Sequence, residues 1–212
     1  MNSLRNNNGI VLDIQDLCKG VGMKFTGIKK IKDGKYLKNY ELIYINKAGK
    51  EKKYEMVSRH EINSPEEIGR APSGVSIVAF HEDKLLLLRE FRMSVNKTIF
   101  NLCAGMINPG ETIETCIERE LYEETGLKVK RVIDILPPSY AAVGISDTST
   151  YIAFVEADGE FEDHTSDNEE IEAAFYTREQ VADLLKTEIF SSRSQVIGYY
   201  FSRGLDITGN EC

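Results

Sequence analysis

The segment Gly105–Leu127, GMINPGETIETCIERELYEETGL, concentrates carboxylates beside glycines. Carboxylate oxygens are hard donors, and a group of them next to a glycine-bearing loop suits Mg²⁺ or Mn²⁺ rather than a softer metal. Asn108-Pro109-Gly110 is turn chemistry, Glu111 and Glu114 favour a helix N-terminus, and Gly126 is a C-terminal cap. A helix is therefore expected over Thr112–Thr125. At 100° per residue, Ile113, Cys116, Ile117 and Leu121 share one arc of roughly 140°. Glu120 and Glu124 fall inside that arc and Glu123 just beyond its edge, while Glu114, Glu118 and Tyr122 point the other way. A glutamate-rich helix is usually a solvated face, but these carboxylates lie on the side that must pack. Glu120 opposes Glu124 and Glu123 at i,i+4 and i,i+3, each pair costing roughly 0.2–0.5 kcal/mol even when exposed. Desolvation adds to that cost. Glu120, Glu123 and Glu124 are thus expected to converge on a divalent cation, and to titrate as a coupled group with raised pKa values without it.

The elements that must hold this segment follow from periodicity. Phe25–Glu61 alternates around Asn46-Lys47-Ala48-Gly49, which reads as an antiparallel hairpin or meander. Val75–Phe80 and Leu85–Leu88, joined at His81-Glu82-Asp83, read as paired strands buried on both faces. Thr98–Cys103, Val129–Leu136, Tyr151–Val155 and Ala173–Tyr176 are further strand candidates. Thr177-Arg178-Glu179-Gln180 and Ser192-Arg193-Ser194-Gln195 fit the capping box, and each opens an amphipathic run. The expected organisation is a polar, poorly ordered leader over residues 1–22, an antiparallel β unit over 23–62, and a mixed α+β domain over 70–205.

Composition limits the partners. A chain of 212 residues with a formal net charge of −8 opposes nucleic acid and anionic membrane surfaces. A small phosphorylated substrate remains compatible if cations bridge it to the protein. Cys18, Cys103, Cys116 and Cys212 have no metal-ligand spacing, and no apolar run approaches a membrane span. Cytoplasmic location with reduced thiols is the expectation.

The segment resembles the Nudix box, whose pattern is G, five residues, E, seven residues, then R-E-U-x-E-E-x-G-U with U a bulky aliphatic. Gly105, Glu111, Arg119, Glu120, Leu121, Glu123, Glu124, Gly126 and Leu127 fill every specified position. Seven single-identity positions at roughly 6% usage each would match by chance about once in a million such chains. The resemblance implies an α/β/α sandwich with a mixed sheet, preceded by the small antiparallel β unit. It also implies a hydrolase that uses Mg²⁺, with Mn²⁺ as a substitute. In the family's terms, Glu120, Glu124 and the Ala104 carbonyl correspond to principal metal ligands. Glu123 corresponds to a further ligand or a carboxylate that positions water. Glu111 and Arg119 correspond to a structural ion pair, and Gly105 lets the loop backbone approach phosphates. A catalytic carboxylate outside the box is expected at Glu169, which would also be a metal ligand, with Asp167 and Glu170 as alternates. Arg89 and Arg92 resemble substrate-binding arginines of the ADP-ribose-type members, Arg92 being the better placed for phosphate.

The N-terminal β unit resembles that of ADP-ribose and nucleotide-sugar pyrophosphatases, which implies a homodimer formed through it. In those members a proline usually stands sixteen residues beyond the box, where this chain has Val143, followed by Gly144. The expected reaction is hydrolysis of a nucleoside diphosphate linked to another moiety, ADP-ribose to AMP and ribose 5-phosphate first. Another nucleotide sugar is the alternative substrate, and a non-catalytic ADP-ribose-binding sensor the alternative function. The complete box and the acidic balance weigh against the sensor.

Overall fold

The computed structural model describes residues 3–5, 11–13, 22–162, 164, 166 and 170–205. The chain divides into two compact units: Met1–Arg70 with Ala142–Thr148, and Ala71–Ala141 with Ser149–Cys212.

In the first unit, Ser3–Arg5 (β1) and Val11–Asp13 (β2) pair antiparallel, an element the sequence pattern did not announce. Most of the remainder of the expected leader lies outside the described residues. The alternating stretch forms a three-stranded antiparallel meander of Lys24–Asp33 (β3), Lys38–Ile45 (β4) and Glu51–Ser58 (β5). Asn46 makes the β4–β5 turn, its Oδ1 accepting from Ala48 N at 2.9 Å and Lys50 N at 3.0 Å, with Gly49 at φ 73°. One face buries Tyr40, Leu42, Met56 and Ile62. The Ala142–Thr148 loop is sewn to β5: Val57 N donates to the Ile145 carbonyl at 2.8 Å, and Ser58 Oγ to Asp147 Oδ2 at 3.1 Å. Gly69 N reaches the same carboxylate oxygen at 3.2 Å. Asp147 is buried and thereby satisfied.

The second unit is built on a seven-stranded mixed sheet. Its main path runs Lys128–Tyr140 (β10), Ser149–Asp158 (β11), Gly74–His81 (β6), Lys84–Arg92 (β7) and Ile171–Tyr176 (β12). Lys97–Asn101 (β8) pairs with β7, and Cys103–Met106 (β9) with β6. The β11–β6 pairing is parallel and the others antiparallel. Alternation sorts β6 and β7 onto two faces. Val75, Ile77, Ala79, Leu86 and Leu88 pack with Cys116, Ile117 and Leu121 of the helix Ile113–Thr125 (α1). Val78, Phe80, Leu85 and Leu87 pack with Val181 of Arg178–Thr187 (α2) and Phe201 of Ser192–Ser202 (α3). Both strands are therefore continuous apolar runs, and the unit is the α/β/α sandwich expected.

Three boundaries differ from the sequence expectation. Thr98–Cys103 is not one strand, because the chain leaves β7 at Asn101 and joins β6 from Cys103, changing partner at Leu102. β10 runs on through Pro137 and Pro138, which is possible because it is an edge strand whose register shifts between Leu136 and Ser139. The cap of α3 is Ser191 rather than Ser192, its hydroxyl accepting from Ser194 N, whereas Thr177 and Gln180 do form the expected capping box on α2. No helix among the described residues is long and apolar enough to cross a membrane.

Candidate active site

β9 and α1 position the carboxylates. Val75 faces Gly105 and Ser76 faces Ala104 in the β6–β9 ladder, so the loop backbone is fixed by the sheet. The chain then turns through Asn108 and Gly110. Asn108 N donates to Glu111 Oε2 at 2.8 Å, Gly110 takes φ 80°, and the Thr112 hydroxyl caps α1. Gly126 closes the helix at φ 79° in the left-handed region, its N–H bonded to the Tyr122 carbonyl at 2.8 Å.

On this frame Glu120 is buried and Glu124 partly buried, both on the side that faces β9, whereas Glu123 is exposed. The Glu120 carboxylate lies directly over Gly105: a Cβ added there would collide with its carbon and oxygens. Glu124 Oε2 accepts from Ala104 N at 3.1 Å. Burial pushes the Glu124 carboxyl up to about 8, against the opposing pull of the Cys103 thiol and the Ala104 amide. Burial also raises Glu120, although the Arg119 guanidinium beside it favours its charge. The two neighbouring thiols are raised by burial as well, Cys116 to about 11, which favours their neutral form.

Arg119 is the hub of the site. Its Nε donates to Glu111 Oε1 at 2.8 Å and its Nη2 to Glu111 Oε2 at 2.9 Å. Nη1 reaches Glu120 at 2.7 Å and Glu123 at 2.9 Å, and Nη2 also bonds the Met106 carbonyl at 2.9 Å. This bidentate contact holds the Glu111 carboxyl at about 2. Among the described residues no three acidic or sulfur side chains gather as a ready metal cluster. Arg119 supplies the counter-charge to Glu120 and Glu123, and among the described residues Glu124 is the desolvated carboxylate with no basic partner.

Ala104, Gly105, Glu120, Glu123 and Glu124 line a cavity of about 730 Å³ that also takes in Arg92, His164 and Glu170. Arg92 sits at its wall, bonded to Glu90 Oε2 at 3.4 Å. Arg89 is not brought there; it pairs with Glu172 across β12 at 3.1 Å, because odd positions of β7 face the opposite side of the sheet from even ones. Glu169 and Asp167 lie outside the described residues, whereas Glu170 reaches the cavity, anchored by its carbonyl to Phe91 N at 3.1 Å.

Glu90 is the functional-site residue that sequence reasoning passed over. It is buried, lines the same cavity and accepts from Asn101 Nδ2. Alternation within LLLLREFR could have found it, since Glu90 and Arg92 continue the Leu86/Leu88 face on which α1 packs. His164, stacked on Tyr122 at 4.6 Å, carried no such signal.

The family model for the NUDIX domain matches residues 70–197, and the chain belongs to that family. It is 29% identical over 137 residues to an ADP-ribose pyrophosphatase of Saccharomyces cerevisiae, covering 62% of this chain and 57% of that protein. It is 27% identical over 140 residues to an ADP-sugar pyrophosphatase of Mus musculus, covering 64% of this chain and 62% of that protein. In both cases the match spans less than two thirds of the relative's length. The fold is shared with a crystal structure of an ADP compounds hydrolase at TM-score 0.64 and 19% identity, over 86% of this chain and 93% of that one.

Proposed function

We propose that this chain hydrolyses the diphosphate linkage of a nucleoside diphosphate joined to another moiety, with ADP-ribose, giving AMP and ribose 5-phosphate, as the first substrate. The observation that carries this reading is the pairing of Glu120 and the desolvated Glu124 against the Ala104–Gly105 backbone in a cavity large enough for a nucleotide. Glu124 without a basic partner and the absent Cβ of Gly105 both fit a cation on this wall. Glu120, Glu124 and the Ala104 carbonyl would hold it, with Glu123 as a further ligand, and Mg²⁺ suits this all-oxygen set with Mn²⁺ as substitute. When bound, such a cation neutralises diphosphate oxygens and acidifies water.

The chain's own residues supply the rest. Arg92 orients a phosphate from the cavity wall with a planar guanidinium. Gly105 leaves room for phosphate oxygens to approach the backbone. Glu169, in the acidic stretch ahead of β12, takes the proton of the attacking water, with Asp167 and Glu170 as alternates, and Glu123 positions that water or adds a further ligand. Water adds its oxygen to one phosphorus, the bridging P–O bond breaks, and the other phosphate leaves as a monoester. The names of the yeast and mouse relatives support an ADP-linked substrate.

The test is an assay of ADP-ribose, UDP-glucose, GDP-mannose, a diadenosine polyphosphate and 8-oxo-dGTP, with and without Mg²⁺, beside Glu123→Gln. AMP release from ADP-ribose that needs Mg²⁺ and is lost in the variant supports the proposal. Tight binding with no turnover of any compound would replace the hydrolase by a sensor.

A further inference from the structure

A second, smaller cavity of about 220 Å³ adjoins the first and shares Arg92 and Ser94 with it. Its wall adds Asn101, Ser192 and Arg193, and it contains no carboxylate. Arg193 donates from Nη1 to Thr150 Oγ1 at 3.3 Å and, among the described residues, makes no ion pair. Burial lowers its affinity for the proton, with no acidic neighbour to restore it. Arginine stays charged regardless, so the fold holds a partly desolvated cation without a counter-charge, an arrangement that costs stability unless an anion completes it.

Two features tie this cavity to the active site. Arg92 faces both spaces, and its bond to Glu90 is long at 3.4 Å. Between them runs a relay in which Asn101 Nδ2 donates to Glu90 Oε1 while Asn101 Oδ1 accepts from Ser191 Oγ at 2.7 Å. The relay ties β7, β8 and the start of α3, and Arg92 and Arg193 stand on the first and last of these elements. The volume is below that of ordinary nucleotide pockets but sufficient for a single phosphate group.

We propose that this cavity is an anion subsite in which Arg193, with Arg92, binds a phosphate monoester carried by the second moiety of the substrate. The inference rests on the hydrolase reading for its place in catalysis, though not for the binding itself. It makes the favoured substrates nucleoside diphosphate derivatives whose distal group carries an additional phosphate. Free inorganic phosphate has the same chemistry and is the competing source of the ligand.

The experiment has two arms, on wild type, Arg193→Gln and Arg193→Lys, with thermal melts to confirm folding. In the first, inorganic phosphate is titrated calorimetrically into metal-free protein. Affinity is expected to fall about tenfold in Arg193→Gln and in part in Arg193→Lys, which keeps the charge but not the fork. In the second, kcat/KM is compared for ADP-ribose and ADP-ribose phosphorylated at the distal 1″ position. Wild type should favour the phosphorylated compound by about tenfold, and Arg193→Gln should remove that preference while leaving ADP-ribose within about twofold. Unchanged phosphate affinity in both variants, or none in wild type, overturns the subsite. Lost phosphate affinity with an unchanged substrate ratio overturns the assignment to substrate and leaves a site for free phosphate. If no compound is hydrolysed yet phosphate binding depends on Arg193, the hydrolase reading fails and the anion site stands. Should Arg193→Gln not fold, the weakened affinity of Arg193→Lys decides.

Discussion

At the scale of single residues, the site sets two carboxylates at opposite ends of the titration range. Glu111 is held at about 2 by Arg119 against an ordinary 4.5, so it contributes stability above pH 4.5 that is lost as pH falls toward 2. Glu124 is raised to about 8, which is the reverse case. The unfolded chain ionises near 4.5 while the fold keeps its proton, so stability declines as pH rises from 4.5 to 8. Metal-free protein at pH 7 therefore carries a proton on Glu124, and Mg²⁺ binding should release about one proton per site. Calorimetry in buffers of different ionisation enthalpy measures it, and heats independent of buffer would exclude the proton. Arg119→Ala removes the contacts to Glu111, Glu120, Glu123 and the Met106 carbonyl together. It should lower Tm by roughly 4–10 °C, leaving the buried Glu120 uncompensated. A thermal melt unchanged at pH 7 would show that the hub is dispensable.

At the scale of elements, the active site is a junction between the β9 backbone and one face of α1. Gly105 is where they meet most closely. In Gly105→Ala the new Cβ would occupy the space of the Glu120 carboxylate, which must swing away from the loop. The variant is expected to fold, since the obstructing atoms end a side chain, but to lose about 10²-fold in kcat/KM because a 1 Å displacement of a positioned group is enough for that. Retained activity would show that Glu120 does not work from this position. The same junction explains what was legible in advance. Arg119, Glu120, Glu123 and Glu124 could be placed on one helix, with Glu111 just before it and Gly126 at its end, because helical periodicity is local. Alternation could put Glu90 on the face of Leu86 and Leu88, but its bond to Asn101 depends on β8 pairing with β7.

At the scale of the whole molecule, the chain comprises two units, and the segment Ala142–Thr148 belongs with the first although it interrupts the second in sequence. Val143, where the ADP-ribose-type members usually carry proline, is a solvent-exposed member of that loop, 74% accessible. The loop is tied to β5 through Asp147 instead. The first unit also exposes Ile31, Tyr36, Leu37 and Tyr54, more apolar surface than a small solvated sheet usually presents. We expect these to serve a homodimer formed through the N-terminal sheet. Light scattering coupled to size-exclusion chromatography should report twice the chain mass at micromolar concentration, and a monomer would set that expectation aside.

The sequence by itself determined the family, the sandwich class and the helix that bears the acidic residues. Each of these rests on residue types at fixed local spacing, which a helix or strand converts directly into a face. Only the tertiary structure decided which carboxylate stands without a counter-charge, because Arg119 reaches Glu111, Glu120 and Glu123 in space but not Glu124. It also decided that Arg92 rather than Arg89 reaches the cavity, and that Arg193 lies beside it from more than a hundred residues further along the chain. Such choices depend on which strands become neighbours, and strand order is set by packing of the whole sheet rather than by any one segment.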